Sequence, residues 1–163
     1  MFKQDFDELA FFRGMSPQQV RELEPLFDLC TFAAGEVIFE QGQPAEYLYV
    51  LSAGEVLVQY KPYDGPQLTV ARVLPGNVFG WSAALRRRTY SSGSSAVVAS
   101  EAYRITRAQL MSICNECPAT GREFLDRLTR AVAERYHSMQ PQVLDLLSDS
   151  MDPDANGGKP PND

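Results

Sequence analysis

One histidine, one tryptophan and three cysteines in 163 residues exclude several classes of function at once. A zinc site needs about four ligands, and a metal-dependent rolled-barrel enzyme needs several histidines; His137 stands alone. No Ser–His or Cys–His pair falls within the β-rich part of the chain, so no enzyme activity and no metal or other cofactor are expected. Three cysteines cannot all pair with one another, which fits a reducing compartment. Long apolar runs are also missing: none approaches the roughly 18 residues of a membrane span. The amino terminus, MFKQDFDELAFFRG, carries acidic residues where a signal peptide has its apolar region. A cytoplasmic location without membrane contact is the expectation. Finally, there is no basic excess: 21 acidic against 15 basic residues leave a net charge of -6. Only Arg86-Arg87-Arg88 forms a basic cluster. The residues from Pro141 onward are acidic and rich in Pro and Gly, which is too little for a recognition-helix domain. Direct DNA binding is not expected.

What is present is ordinary for a folded domain: 44% hydrophobic and 22% charged residues. Phe6, Leu9, Ala10 and Phe12 give a short apolar helical face. Ser16-Pro17 is a cap and first-turn pair for a second helix whose apolar positions are Val20, Leu23, Leu26 and Phe27. The texture changes near Cys30. The runs VIFE (Val37–Glu40), YLYVLS (Tyr47–Ser52), EVLVQY (Glu55–Tyr60), LTVARVL (Leu68–Leu74), SSAVVAS (Ser94–Ser100) and AYRIT (Ala102–Thr106) alternate with glycines at turn-like intervals. Many short strands with Gly and Pro turns predict a β-sandwich or rolled antiparallel barrel. Thr106 caps a helix through Leu110 and Ile113 that ends near Pro118. A longer helix follows from about Ala119 to Met139, striped by Phe124, Leu128, Val132, Arg135/Tyr136 and Met139, with Leu125 and Ala131 widening the stripe. Pro141 ends it. A short helical turn, VLDLLSDSM, then precedes DPDANGGKPPND, a stretch with the composition of disorder.

The residues AGEVIFEQGQPAEYLYVLSAGEVLVQY (Ala34–Tyr60), LPGNVFG (Leu74–Gly80) and ITRAQLMSI (Ile105–Ile113) resemble the cyclic nucleotide-binding domain family of catabolite-activator-like regulators and kinase regulatory subunits. The resemblance covers roughly residues 10 to 140. It implies a mainly β fold, a double-stranded β-helix (jelly roll), flanked by amino-terminal helices and closed by a long carboxy-terminal helix. The expected division is one domain over 1–140, with the roll at about 30–106 and helices at about 107–140, then a tail over 141–163. It also implies a non-enzymatic ligand-sensing module: a cyclic nucleotide sits in a short helix and loop, the phosphate cassette, and shifts the last helix. Backbone amides of such a turn point their donors at an anion.

In that family a Glu after the cassette glycine takes the ribose hydroxyl, and a later Arg pairs with the phosphate. Here Phe79-Gly80 match the start, but Trp81 stands in the Glu position and Tyr90 in the Arg position. A charge-assisted hydrogen bond is worth about 1.5–3 kcal/mol. Losing both, uncompensated, weakens binding by about a hundredfold to ten-thousandfold. The candidate ligand residues are Phe79, Gly80, Trp81, Ser82, Ala83, Arg88, Tyr90, Ser91 and Ser92. Arg88, two residues before the Arg position, either pairs with an anion or is merely solvated. Trp81 either stacks on a base or is a plain core residue. The serines either replace lost contacts or bond their own backbone.

Two further features have bland and sharp readings. Cys114 and Cys117 have the spacing of half a metal or redox site; structural cysteines at a helix end are the simpler reading. The long-helix stripe fits either a homodimer, as in the family, or packing on the chain's own roll. The alternative to ligand sensing is a degenerate cyclic-nucleotide-binding fold that serves as a protein-interaction module without nucleotide.

Overall fold

The computed structural model describes residues 6–85 and 87–137. Of the first expected helix, Phe6 is helical and the chain continues in turns to Gly14, burying Phe6, Leu9 and Phe12 but leaving Ala10 exposed. Helix α1 (Pro17–Leu23) starts where the sequence places it: Ser16 Oγ accepts from the Gln19 amide, and the Gln19 side chain accepts from the Ser16 amide. This reciprocal cap satisfies two donors that the first turn would otherwise leave unpaired.

Eight strands follow among the described residues: β1 (Asp28–Phe32), β2 (Val37–Phe39), β3 (Tyr47–Ala53), β4 (Val56–Tyr60), β5 (Leu68–Val73), β6 (Val78–Phe79), β7 (Gly93–Ala96) and β8 (Ser100–Thr106). They form two four-stranded sheets, ordered β1-β8-β3-β6 and β2-β7-β4-β5, with every pairing antiparallel. The pairing is that of the expected jelly roll. The run expected as one strand over Ser94–Ser100 is instead split, and Val97 and Val98 are exposed. Ser100 Oγ donates to Val98 O at 2.7 Å and accepts from the Glu55 amide at 3.2 Å. That side chain offers the backbone a turn in place of the ladder.

The centre of the first sheet, β3 with β6 and β8, is buried on both faces, while β1 is half-exposed. Along β3, Leu48 and Val50 enter a cluster with the helices, while Tyr49 and Leu51 point into the roll. On β8 Tyr103 and Ile105 face the helices and Ala102 the roll; on β6 Val78 and Phe79 divide in the same way. Side chains alternate across a strand, so double burial explains why YLYVLS reads as an unbroken apolar run.

Helix α2 (Arg107–Glu116) opens on a Thr106–Gln109 capping box, and α3 (Pro118–His137) on Pro118. Gly121 of α3 lies against Cys114 of α2: an added Cβ would come 2.6 Å from the Cys114 Cα. The two helices therefore touch backbone to backbone. Phe124 and Leu128 of α3 are buried with Phe11, Phe12 and Phe27, whereas Leu125 stays exposed. The described part of the stripe, Phe124, Leu128, Ala131 and Val132, thus packs on the chain's own fold. Arg86, Met139 and the segment 141–163 lie outside the described residues.

Candidate functional site

The cassette starts at β6, whose Phe79 pairs with Tyr49. Gly80 then takes a left-handed conformation, φ +74°, where a Cβ would meet Tyr49, Phe39 and the Tyr47 carbonyl at 3.1–3.2 Å. Glycine is needed there for both reasons. A 3₁₀ turn, Trp81–Ala83, follows. The chain returns beside residues 42–45: the Tyr90 amide donates to Gln43 O, Ala45 N–H to Arg88 O, and Gly42 N–H to Tyr90 O, each at 2.9 Å.

Two aromatic side chains occupy the positions where the resemblance places Glu and Arg, and they point in opposite directions. Tyr90 turns into the roll. Its ring stacks on Phe39 at 3.7 Å between centroids, next to a stacked Tyr49–Phe79 pair at 4.9 Å. Its hydroxyl donates to Tyr47 O at 2.6 Å and accepts from the Tyr47 amide at 3.0 Å. Burial pushes the Tyr90 phenol up to about 12, partly offset by its bonds to the backbone of Tyr47 and Glu46. Trp81 turns out to the helices. It is buried in the helical cluster, and the Arg135 guanidinium of α3 stands over its ring, 4.9 Å from the centroid. That guanidinium also donates to Val78 O at 2.6 Å. Burial pulls the Arg135 pKa down to about 10. One side chain of α3 thus touches both ends of the cassette's entry, Val78 and Trp81.

Ser82 and Ser91 meet across the cassette: their hydroxyls lie 3.5 Å apart, and the Ser91 amide points at Ser82 Oγ at 3.4 Å. Together with Gly80, Tyr90 and Ser92 they line a cavity of ≈ 20 Å³, whose walls Phe39, Val58 and Trp81 complete. About one water fits such a volume; ligand pockets run to about 300–1,000 Å³. Phe39 also lines an open groove of ≈ 590 Å³, together with Gln59, Lys61 and Ser95 among others. Of the expected ligand residues, Phe79 and Ala83 are fully buried in the roll cluster and do not line this cavity. Arg88 is exposed and does not line it.

Three residues of the site escaped the sequence reading. Arg135 appeared there only as a position on a stripe. Arg107, the residue after the Thr106 cap, reaches back to the cassette: its Nε donates to Ala83 O at 2.7 Å and its Nη2 to Ser82 O at 3.2 Å and to Arg87 O. Tyr47 supplies backbone to Tyr90. Charged residues at helix starts and in apolar stripes are the available signal, but they carry no direction.

Cys114 and Cys117 are free and half-buried, and burial raises the Cys114 thiol. Among the described residues no group of three or more His, Cys, Asp or Glu side chains can hold a metal ion, and no helix is long and apolar enough to cross a membrane.

The model of the cyclic nucleotide-binding domain matches residues 29–117, the roll together with α2. The chain belongs to the cyclic nucleotide-binding domain family. It is similar to the cyclic AMP receptor protein of Thermus thermophilus, 26% identical over 137 residues, which cover 84% of this chain and 61% of that protein. The CRP-like cAMP-activated global transcriptional regulator of Mycobacterium tuberculosis is 23% identical over 138 residues, 85% of this chain and 60% of the relative. The chain thus spans about 60% of the length of these curated relatives. The crystal structure of a cyclic nucleotide-binding domain from Methylobacillus flagellatus shares the fold, with a TM-score of 0.77 at 21% identity over 83% of this chain and 79% of that one. Membership supports a regulatory, ligand-sensing type of module.

Proposed function

We propose that this chain is a non-enzymatic regulatory module in which the state of the cassette, Gly80–Ser92, is coupled to helix α3. The observation that carries this reading is the Arg135 guanidinium, held between the Trp81 ring and the Val78 carbonyl. A ligand that moves Trp81 or the start of the 3₁₀ turn changes the seat of a half-buried cation on α3. A ligand shifts such an equilibrium only as far as it prefers one helix position.

The ligand class is a cyclic nucleotide or a related anionic small molecule, placed between Ser82 and Ser91 with Tyr90 and Ser92 beside it. Entry from the groove requires Phe39, which lines both the groove and the small cavity, to leave its stack on Tyr90. Arg88, exposed on the return leg, is the side chain free to swing toward an anion. A homodimer through α3 belongs to the same reading. Since Phe124 and Leu128 are buried in the chain's own core, such a dimer uses the side that carries Leu125. Analytical ultracentrifugation at micromolar concentration tests it.

One observation favours a second reading, a protein-interaction module without nucleotide: Tyr90 fills the Arg position and both of its hydroxyl bonds go to Tyr47. A calorimetric and thermal-shift panel of cyclic mono- and dinucleotides decides between the two. Because Trp81 is the only tryptophan, its emission reports cassette occupancy directly. The first reading predicts a raised melting temperature once ligand exceeds its dissociation constant, together with a change in Trp81 emission. A flat panel at millimolar ligand replaces it with the second.

A further inference from the structure

We infer that Arg107 is the positioning residue of the cassette, the group through which its shape is tied to the α2–α3 hairpin. The 3₁₀ turn Trp81–Ala83 brings its last carbonyls to the start of α2, and Ser82 O also accepts from the Leu85 amide at 3.2 Å. Arg107 donates to two of these carbonyls, Ser82 O and Ala83 O, and to a third, Arg87 O, from the loop that follows. One planar guanidinium therefore closes the far end of the turn and pins the start of the arginine loop. A fork of fixed N–H donors suits that task; the single ammonium of lysine cannot span the same three acceptors in one plane. The positive charge also lies at the carbonyl end of the turn, where a cation is favoured.

Arg107 is anchored on its other side as well. It is the first residue of α2, and its own amide donates to Glu46 O at 3.3 Å, just before β3. Helix α2 in turn cannot slide freely on α3, because Gly121 sits against Cys114 with no room for a Cβ. A change in the cassette backbone at Ser82–Arg87 must then either break the Arg107 bonds or carry α2 with it. This path is separate from the Trp81–Arg135 contact, which holds the other end of the turn.

The inference rests on the regulatory reading only for what the clamp is for. Its test needs no ligand, so a flat nucleotide panel and a failure of the clamp are distinguishable outcomes. The full chain and its Arg107→Ala and Arg107→Lys variants are compared by amide hydrogen exchange and by Trp81 emission. Arg107→Ala is expected to speed exchange about tenfold over residues 82–92, with exchange in β3 and β4 unchanged. Trp81 emission moves with it. Arg107→Lys keeps the charge and the helix start, and is expected to restore stability but not the slow exchange of the cassette. If Arg107→Ala does not fold, the lysine variant alone carries the test. Unchanged exchange over 82–92 in the lysine variant overturns the inference. So does an increase spread evenly over the chain in step with a lowered melting temperature, since a merely structural residue gives that pattern.

Discussion

The roll interior and the helical cluster lie on opposite faces of one sheet, and the cassette is the segment that sends a large side chain into each. Tyr90 belongs to the roll, stacked on Phe39 and bonded to Tyr47; Trp81 belongs to the helices, under Arg135. On the roll side, aromatic rings leave room for about one water. On the helical side, the same cassette is tied to α3 by a cation. In the proposed function the roll side would govern entry and the helical side the readout. In this member of the family the positions where the resemblance implies Glu and Arg hold Trp81 and Tyr90, and the two rings are packed on opposite faces of the sheet.

Removing Tyr90 breaks the roll side outright. Tyr90→Ala deletes a ring that is 3% exposed and is expected to cost about 3–5 kcal/mol, as for other large-to-small core changes. Denaturant unfolding monitored by circular dichroism measures it. Gly121→Ala strikes the helical side. Its Cβ overlaps the Cys114 backbone, and the expected loss is about 1–3 kcal/mol, with faster exchange at α2 and α3 and none in β4.

Tyr90→Phe is a gentler cut that separates the ring from the hydroxyl. It leaves the ring stack in place but deprives the Tyr47 amide and carbonyl of their partner, at about 1–3 kcal/mol. The pH dependence sharpens the same point. Burial raises the Tyr90 phenol from 10.0 to about 12 in the folded chain. Its protonated form therefore contributes stability that is complete below the unfolded value and is lost as pH rises from the unfolded value through the folded one. Wild type should lose more stability than Tyr90→Phe across that window; equal losses mean that Tyr90 is not the group responsible.

Arg135→Met gives the smallest expected effect on stability, about 1 kcal/mol, because the stem volume is kept and the Val78 bond is replaced by burial of an apolar chain. Its effect on coupling is the informative one: Trp81 emission should change although the fold is intact. An unchanged spectrum separates Trp81 from α3 and leaves the two clusters independent.

Much of the fold was legible because its signals are local. Ser16 with Gln19 and Thr106 with Gln109 are caps that any reading of spacing finds, and the Gly-bounded β-runs mark most of the roll. β1 was missed, since DLCTF is half-buried and shows no clean alternation, and β6 is only two residues long. The split at Val97 depends on one serine side chain, which residue type alone does not reveal. At the site, position was legible and direction was not. Counting residues places Trp81 and Tyr90 in the cassette, but which face of the sheet each enters is decided by packing against Phe39 and Arg135. Arg107 and Arg135 were invisible as site residues for the same reason: each acts on backbone carbonyls far away in sequence.

The central claim is that the cassette and α3 move together. Hydrogen exchange of the full chain with and without a cyclic nucleotide that binds in the thermal-shift panel tests it most directly. The account predicts altered protection at residues 80–92 and at 128–137 together, with the strands β4 and β5 unchanged. Binding that alters the cassette and leaves 128–137 as it was would contradict it.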